Sequence, residues 1–406
     1  MRIAQRAQRV APFYVMELAK AAAEMAAASA PGQRPMIYLN IGEPDFTAPA
    51  LVQDAAERAI RDGRSQYTQA TGLPALREAI SGWYAQRFAL DIDPARIVIT
   101  AGASAALQLA CLALIEAGDE VLMPDPSYPC NRQFVQAAEG SAVLIPTGPE
   151  QRFQLSAEQV QSAWGPATRG VLLASPSNPT GTSIARDELE RIASAVRERG
   201  GITMVDEIYL GLSYEAEYSH SALGLPEGLG DEVISINSFS KYFNMTGWRL
   251  GWLVLPPALV PVVERLAQNL FICASTIAQH AALACFEPES LAEYERRRSE
   301  FKARRDFFIP ELDRLGLAVP VMPDGAFYAW ADVRSLCERM GIPPAGAQPD
   351  QGGSWALAFE LMQRCQLATT PGRDFGFAEP GRYLRFSTAN SMAQLREAVQ
   401  RLEQAI

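Results

Sequence analysis

Histidine and lysine are nearly absent from this chain. With only His220 and His280, a histidine-rich metal site is excluded. The six cysteines (Cys111, Cys130, Cys273, Cys285, Cys337 and Cys365) contain no CxxC pair and no regular spacing, so neither a disulfide framework nor a zinc site is indicated. Long apolar runs are missing too: the longest, residues 101–115, is interrupted by Gly102, Ser104 and Gln108 and is too short to span a bilayer. Positive charge is in deficit, with 36 Lys+Arg against 46 Asp+Glu and a net charge of −10. Such a surface is a poor match for nucleic acid, whose phosphates need neutralising. Near the start, Arg2, Arg6 and Arg9 imitate a targeting peptide, but Glu17, Lys20 and Glu24 break the apolar core that a secretory signal needs. An organellar transit peptide stays compatible with this composition; a reducing cytoplasm is the expected location.

At 406 residues with 48% apolar and 20% charged side chains, the chain is long and apolar enough for two or three domains with sizeable cores. Short apolar runs at 97–100, 120–123, 142–145, 171–174, 202–205, 233–236 and 250–255 alternate with segments of helical periodicity such as 103–116 and 187–199. That alternation predicts an α/β fold, a mostly parallel seven-stranded sheet covered by helices on both faces. A helix is expected over 14–28 and a long helical stretch over 258–315, interrupted at Pro261 and Pro288. The Pro/Gly-rich residues 341–353 read as an exposed loop. The expected division is a large domain over 45–285 and a smaller α+β domain built from both chain ends, 1–44 and 286–406.

In a parallel sheet, ligands bind beyond the carboxyl ends of the strands. The shortage of lysine gives one such position weight. Three lysines among 36 basic residues leave 33 arginines, yet a lysine, Lys241, directly follows the run 233–236 in Asn237-Ser238-Phe239-Ser240-Lys241. An arginine stays protonated, whereas a lysine amine can deprotonate and condense with a carbonyl. Lys241 is either a Schiff-base former or an ordinary surface lysine; Lys20 and Lys302 fall on charged helical stretches. Ser238, Ser240 and Arg249 nearby describe a phosphate cradle. The small residues Gly102-Ala103-Ser104 at a strand-to-helix turn would add backbone N–H groups aimed at an anion, or would simply be a turn capped by Ser104. A reactive lysine beside a phosphate site suggests pyridoxal phosphate. That cofactor needs an acid at its ring nitrogen, for which Asp206 and the adjacent Glu207 compete, with strand alternation aiming Glu207 elsewhere. It also needs donors for its phenolic oxygen (Asn178, Tyr209) and an aromatic cover (Tyr128).

The segments Asn40-Ile41-Gly42-Glu43-Pro44-Asp45-Phe46, Tyr67-Thr68-Gln69-Ala70-Thr71-Gly72, Ser177-Asn178-Pro179-Thr180-Gly181, Asp206-Glu207-Ile208-Tyr209, Ser238-Phe239-Ser240-Lys241 and Gly247-Trp248-Arg249-Leu250-Gly251 occur in a telling order. Together they resemble the class I/II aminotransferases of the fold-type I pyridoxal-phosphate enzymes, from about residue 13 to the C-terminal helix. The resemblance implies that Lys241 carries the cofactor as an imine and that Asp206 meets the pyridine nitrogen. Asn178 and Tyr209 would then meet the ring oxygen, and Tyr128 would stack on the ring. Ala103, Ser104, Ser238, Ser240 and Arg249 would bind phosphate. Tyr67 would reach the phosphate of a neighbouring subunit, implying a homodimer. Arg385, with the Gly42 backbone and Asn178, would hold the substrate α-carboxylate.

The implied reaction is ping-pong transfer of an amino group from an L-amino acid to a 2-oxo acid. The lysine amine has to titrate near 7–8 to serve it, well below its ordinary value. Phe13 and Tyr14 on the N-terminal arm, with Ile41 and Tyr128, point to a neutral or aromatic donor. Some dicarboxylate-preferring relatives carry a lysine where Ser104 stands, which weakens an aspartate-specific reading. Two alternatives share the motifs: a carbon–sulfur β-lyase with the same cofactor, and a non-catalytic cofactor-sensing regulatory module. The latter would need a DNA-binding domain for which the stretch before Gly42 is too short.

Overall fold

The computed structural model describes residues 2–11, 14–28, 34–345 and 352–406. Phe13 and the middle of the 341–353 loop lie outside the described residues. After a short β1 (Ile37–Tyr38) come the strands β2 (Ile97–Thr100), β3 (Glu120–Asp125), β4 (Ser141–Pro146), β5 (Thr168–Ala174), β6 (Ile202–Asp206), β7 (Ile234–Ser238) and β8 (Gly251–Val254). These seven form one sheet in the order β2-β8-β7-β6-β5-β3-β4. The pairs from β7 through β4 are all parallel, and β8 runs antiparallel to both of its neighbours. Each expected strand is present.

The central strands are apolar on both faces, as a sheet covered twice requires. Along β3, Val121 and Met123 join a cluster with Leu107, Leu109 and Val263, while Leu122 joins Val160, Leu189 and Ile192 on the other side. The first side is closed by helices Gly102–Leu114 and Val260–Leu270, the second by Ala157–Ala163 and Arg186–Glu198. Edge strand β4 is only partly buried.

Pro261 does not interrupt the helical stretch as expected, whereas Pro288 does mark a break: helix Thr276–Leu283 and the 3-10 turn Ala284–Phe286 end before it, at the extended Glu287. Each sits in the first turn of its helix, Val260–Leu270 and Pro288–Arg314. A missing N–H costs nothing there and the ring's fixed φ suits helix entry. A further break, which no proline signals, falls at 271–275, before helix Thr276–Leu283.

The later strands are β9 (Tyr328–Asp332), β10 (Leu367–Ala368), β11 (Thr370–Pro371) and β12 (Tyr383–Ser387). β12 is the centre of a three-stranded antiparallel sheet between β11 and β9, and β1 pairs with β10 in parallel. Both chain ends share a cluster that contains Leu18, Ile37 and Leu39 with Phe308, Leu361, Leu395 and Leu402.

Candidate active site

Five strands pointing the same way deliver their following residues to one edge: Ala103 and Ser104 after β2, Tyr128 after β3, Asn178 after β5, Asp206 and Tyr209 at β6, and Ser238, Ser240 and Lys241 at β7. Because β8 runs in reverse, Arg249, two residues before its start, arrives at that edge as well. With Gly42 and Arg385 these side chains line one cavity of about 450 Å3. Tyr67 does not line it: the ring stands 83% exposed on the outside of the chain.

Lys241 Nζ donates to the Gly42 carbonyl at 2.6 Å. Burial brings its pKa down to about 8, with Arg385 and Arg249 acting in the same sense and Glu43 and Asp206 opposing. A minor fraction of the amine, on the order of a tenth at pH 7, is therefore neutral and nucleophilic. Asp206 is buried, and burial pushes its carboxyl up to about 6 against hydrogen bonds from Ile208 N and Asn131. A cation placed against it would return it to the ionised form. Glu207 points away from the cavity, accepting from Ser235 Oγ (2.6 Å), Ser221 Oγ (2.9 Å) and Ala222 N (2.7 Å). Of these two acids, Asp206 lines the cavity and Glu207 does not.

The helix after β2 begins at Gly102 with Ala101 as its N-cap and no side-chain cap, so Ser104 is not the cap residue. Gly102 has φ +80°, and a Cβ there would come within 2.7 Å of Arg249 Nη2, so glycine lets the guanidinium approach the helix start. Ser240 N donates to Ser238 Oγ at 3.0 Å, fixing the turn that carries both hydroxyls. Helix start, hydroxyls and guanidinium converge as an anion site.

Arg385 is 3% exposed in the centre of β12; it is no surface arginine. Its Nη1 donates to Asn178 Oδ1 and its Nη2 to the Asn40 carbonyl, both at 2.7 Å, while Nε is buried without a partner among the described residues. The guanidinium also packs over the rings of Tyr328 (4.4 Å) and Phe375 (5.0 Å). None of these partners is a carboxylate, so the positive charge is left for a ligand. The phenols of Tyr128, Tyr209 and Tyr328 are all raised by burial and stay neutral donors.

Several cavity residues had no signal in the sequence. Tyr328, at the start of β9, shares a 2.7 Å hydrogen bond with Tyr209 and blocks any side chain at Gly42. Asn131 reaches Asp206 from the helix Pro129–Ala137. The N-terminal helix Tyr14–Ala28 roofs the cavity with Val15, Met16 and Ala19, whereas Tyr14 turns to Arg373, whose guanidinium lies 3.9 Å from its ring.

The donor set fits pyridoxal phosphate on its own chemistry: an amine whose pKa burial lowers to about 8, a buried acid lining the same cavity, and an anion cradle kept open by a glycine. Fold and cavity thus define an enzyme built on the pyridoxal-phosphate α/β scaffold. Residues 34–402 match the family described as aminotransferase class I and II, and the chain belongs to that family. It is 36% identical over 401 residues to a valine–pyruvate aminotransferase of Mycobacterium tuberculosis, covering 99% of this chain and 97% of that one. It is 33% identical over 372 residues to an aspartate aminotransferase of Thermotoga maritima, covering 91% and 90%. A solved aminotransferase from Mycobacterium tuberculosis superposes with a TM-score of 0.89 at 36% identity, covering 100% of this chain and 98% of that one. The protein is a pyridoxal-phosphate-dependent aminotransferase, acting on an amino acid and a 2-oxo acid. These relatives favour amino-group transfer over the lyase and regulatory readings.

Proposed function

We propose that this aminotransferase takes neutral, predominantly aliphatic L-amino acids as donors, with Lys241 as its catalytic base and Arg385 as its carboxylate anchor. One observation carries the donor class. The charged residues lining the cavity are Asp206, Lys241, Arg249 and Arg385, and each has a role toward cofactor or α-carboxylate. No cation is left among the described lining residues for a second carboxylate, and the remaining wall includes Val15, Met16, Ile41, Leu107 and Phe134. The valine–pyruvate specificity in the name of one relative agrees with this lining.

Lys241, Asp206, Asn178, Tyr209 and Tyr128 would hold the pyridoxal ring, and Ala103, Ser104, Ser238, Ser240 and Arg249 its phosphate. The chemistry supplied by the bound cofactor is a carbon electrophile for the amino group and a ring that takes up the electron pair released at Cα. Arg385 binds the donor carboxylate and fixes which Cα bond faces the lysine. Lys241 Nζ removes the donor's Cα proton, which its depressed pKa permits, and delivers a proton to Cα of the acceptor in the second half-reaction. Asp206, once ionised beside a cationic ring, holds that charge in place. One site serving donor and acceptor in turn makes the kinetics ping-pong.

The large domain over 45–285 and the small domain from both ends are proposed as the units that enclose this site. Exposed Tyr67 follows Gln66, whose carbonyl accepts from Thr276 Oγ1. An aromatic ring left 83% exposed and outside this chain's own cavity supports a homodimer in which Tyr67 completes the partner's phosphate site. All six cysteines are free thiols, which supports a cytoplasmic location. Among the described residues no helix is long and apolar enough to cross a membrane. The test of donor class is direct: mix the yellow loaded enzyme with single amino acids and follow loss of the cofactor's long-wavelength absorption. Valine, leucine or alanine should bleach it fastest; aspartate bleaching faster than all three would overturn the donor assignment.

A further inference from the structure

The helix that roofs the cavity is held from a distant part of the chain. Leu18 and Ala22 pack into the small-sheet core, but Met16 on the cavity side remains 63% exposed. At the helix start, Tyr14 N–H donates to Asp374 Oδ1 at 3.0 Å, across 360 positions of sequence. This N–H is one of the donors that a helix leaves unpaired at its N-terminus, and a negative charge there also matches the helix dipole. Next to Asp374, the Arg373 guanidinium covers the rings of Tyr14 (3.9 Å) and Trp355 (4.5 Å).

Asp374 is 1% exposed, and its Oδ2 has no hydrogen-bond partner among the described residues. Burial raises its carboxyl to about 6, with Arg385, Arg132 and Arg373 opposing. A buried carboxylate left half-satisfied is costly and calls for a reason. The segment around it joins three parts of the site. Arg132 Nη2 donates to the Asp374 carbonyl (2.9 Å) and Ser127 N to the Phe375 carbonyl (2.7 Å). Phe377 N and Ala378 N donate to Asp125 Oδ2 at the end of β3 (2.8 and 3.1 Å). The Phe375 ring lies under the guanidinium of Arg385.

We propose that Asp374 is a positioning residue, a latch that fixes the roof helix over the donor's side chain and ties it to the carboxylate anchor at Arg385. The latch determines how well the site holds a large side chain, while a donor too small to reach Val15 and Met16 is indifferent to it. This selectivity rests on the neutral-donor reading above.

The test compares wild type with Asp374→Ala and Arg373→Ala as loaded enzymes. Hydrogen exchange of the Tyr14–Ala28 amides is read without donor, and kcat and KM are read for leucine and alanine. Asp374→Ala should speed exchange in the first helical turn about five-fold or more, the ratio that loss of an N-cap of ordinary strength produces. It should lower kcat/KM for leucine by a similar factor, mainly through KM, and leave alanine within about two-fold. Arg373→Ala should act in the same direction with a smaller effect, and it carries the comparison if the first variant fails to fold. Asp374→Asn, which keeps an acceptor oxygen, should recover most of the leucine KM. Unchanged exchange, or equal losses for leucine and alanine, would overturn the latch. A wild-type enzyme that rejects both donors would instead sink the donor reading, leaving the exchange result to judge the latch alone.

Discussion

Replacing Arg385 with lysine keeps the charge and removes the fork. In the native site the guanidinium gives one N–H to Asn178 Oδ1 and one to the Asn40 carbonyl, each at 2.7 Å, and retains others, including the unpartnered Nε, for a substrate carboxylate. An ammonium has three donors and no planar edge. Once it satisfies Asn178 and Asn40, it can offer a single hydrogen bond where arginine offers two. The difference is one buried, charge-assisted hydrogen bond, about 2 kcal/mol, or about thirty-fold in kcat/KM. Lost packing on the faces of Tyr328 and Phe375 adds to this. Rapid mixing of the loaded enzyme with a neutral amino acid, following the cofactor absorption, measures the donor half-reaction directly. An amine of the same chain length without a carboxylate is the control, and with it the two enzymes should react alike. If Arg385→Lys stays within about three-fold of wild type on the amino acid, or loses as much on the bare amine, Arg385 is not the carboxylate anchor.

Lys241, with its amine at about 8, should condense with added pyridoxal phosphate at a rate that climbs with pH and levels off above that value, because only the deprotonated amine attacks. A rate still climbing steeply at about pH 10 would show an unperturbed lysine. Asp45→Ala removes two hydrogen bonds (2.7 and 3.0 Å) from Arg304, which is 1% exposed, while leaving it Glu300 and the Ala389 carbonyl. Since Asp45 is partly solvated, chemical unfolding should show a loss of about 1–2 kcal/mol; an unchanged midpoint would mean this pair does not anchor the Gly42 loop. Native mass measurement should find a dimer, and Tyr67→Phe should keep it while weakening pyridoxal phosphate binding about ten-fold. A fully active monomer would contradict the shared site.

Much of the site is legible in the sequence because its chemistry sits at strand ends, and buried parallel strands announce themselves as short continuous apolar runs. Lys241, Asp206, Asn178 and Ser104 each follow such a run, so finding the strands locates the residues. The near absence of other lysines makes Lys241 stand out on composition alone. What stays hidden is set by tertiary placement. Tyr328 enters the cavity from β9, and Asn131 reaches Asp206 from a helix whose periodicity describes only its packing. Phe13 and Tyr14 draw attention on the arm for being aromatic; of these Tyr14 turns to Arg373, while the plainer Val15, Met16 and Ala19 face the cavity. Pro261 misleads in the same way: a residue that breaks helices in their middle starts them at their first turn, and only hydrogen-bond geometry separates it from the true break before Pro288.

The whole reaction depends on which nitrogen carries the cofactor. Lys20 and Lys302 lie on helices beside Glu24 and Asp306, whereas Lys241 opens into the cavity. Borohydride reduction of the loaded enzyme, followed by digestion and mass spectrometry, should find the pyridoxyl label on the peptide containing Lys241 alone. A label on Lys20 or Lys302, or an unmodified Lys241 peptide, would contradict the assignment.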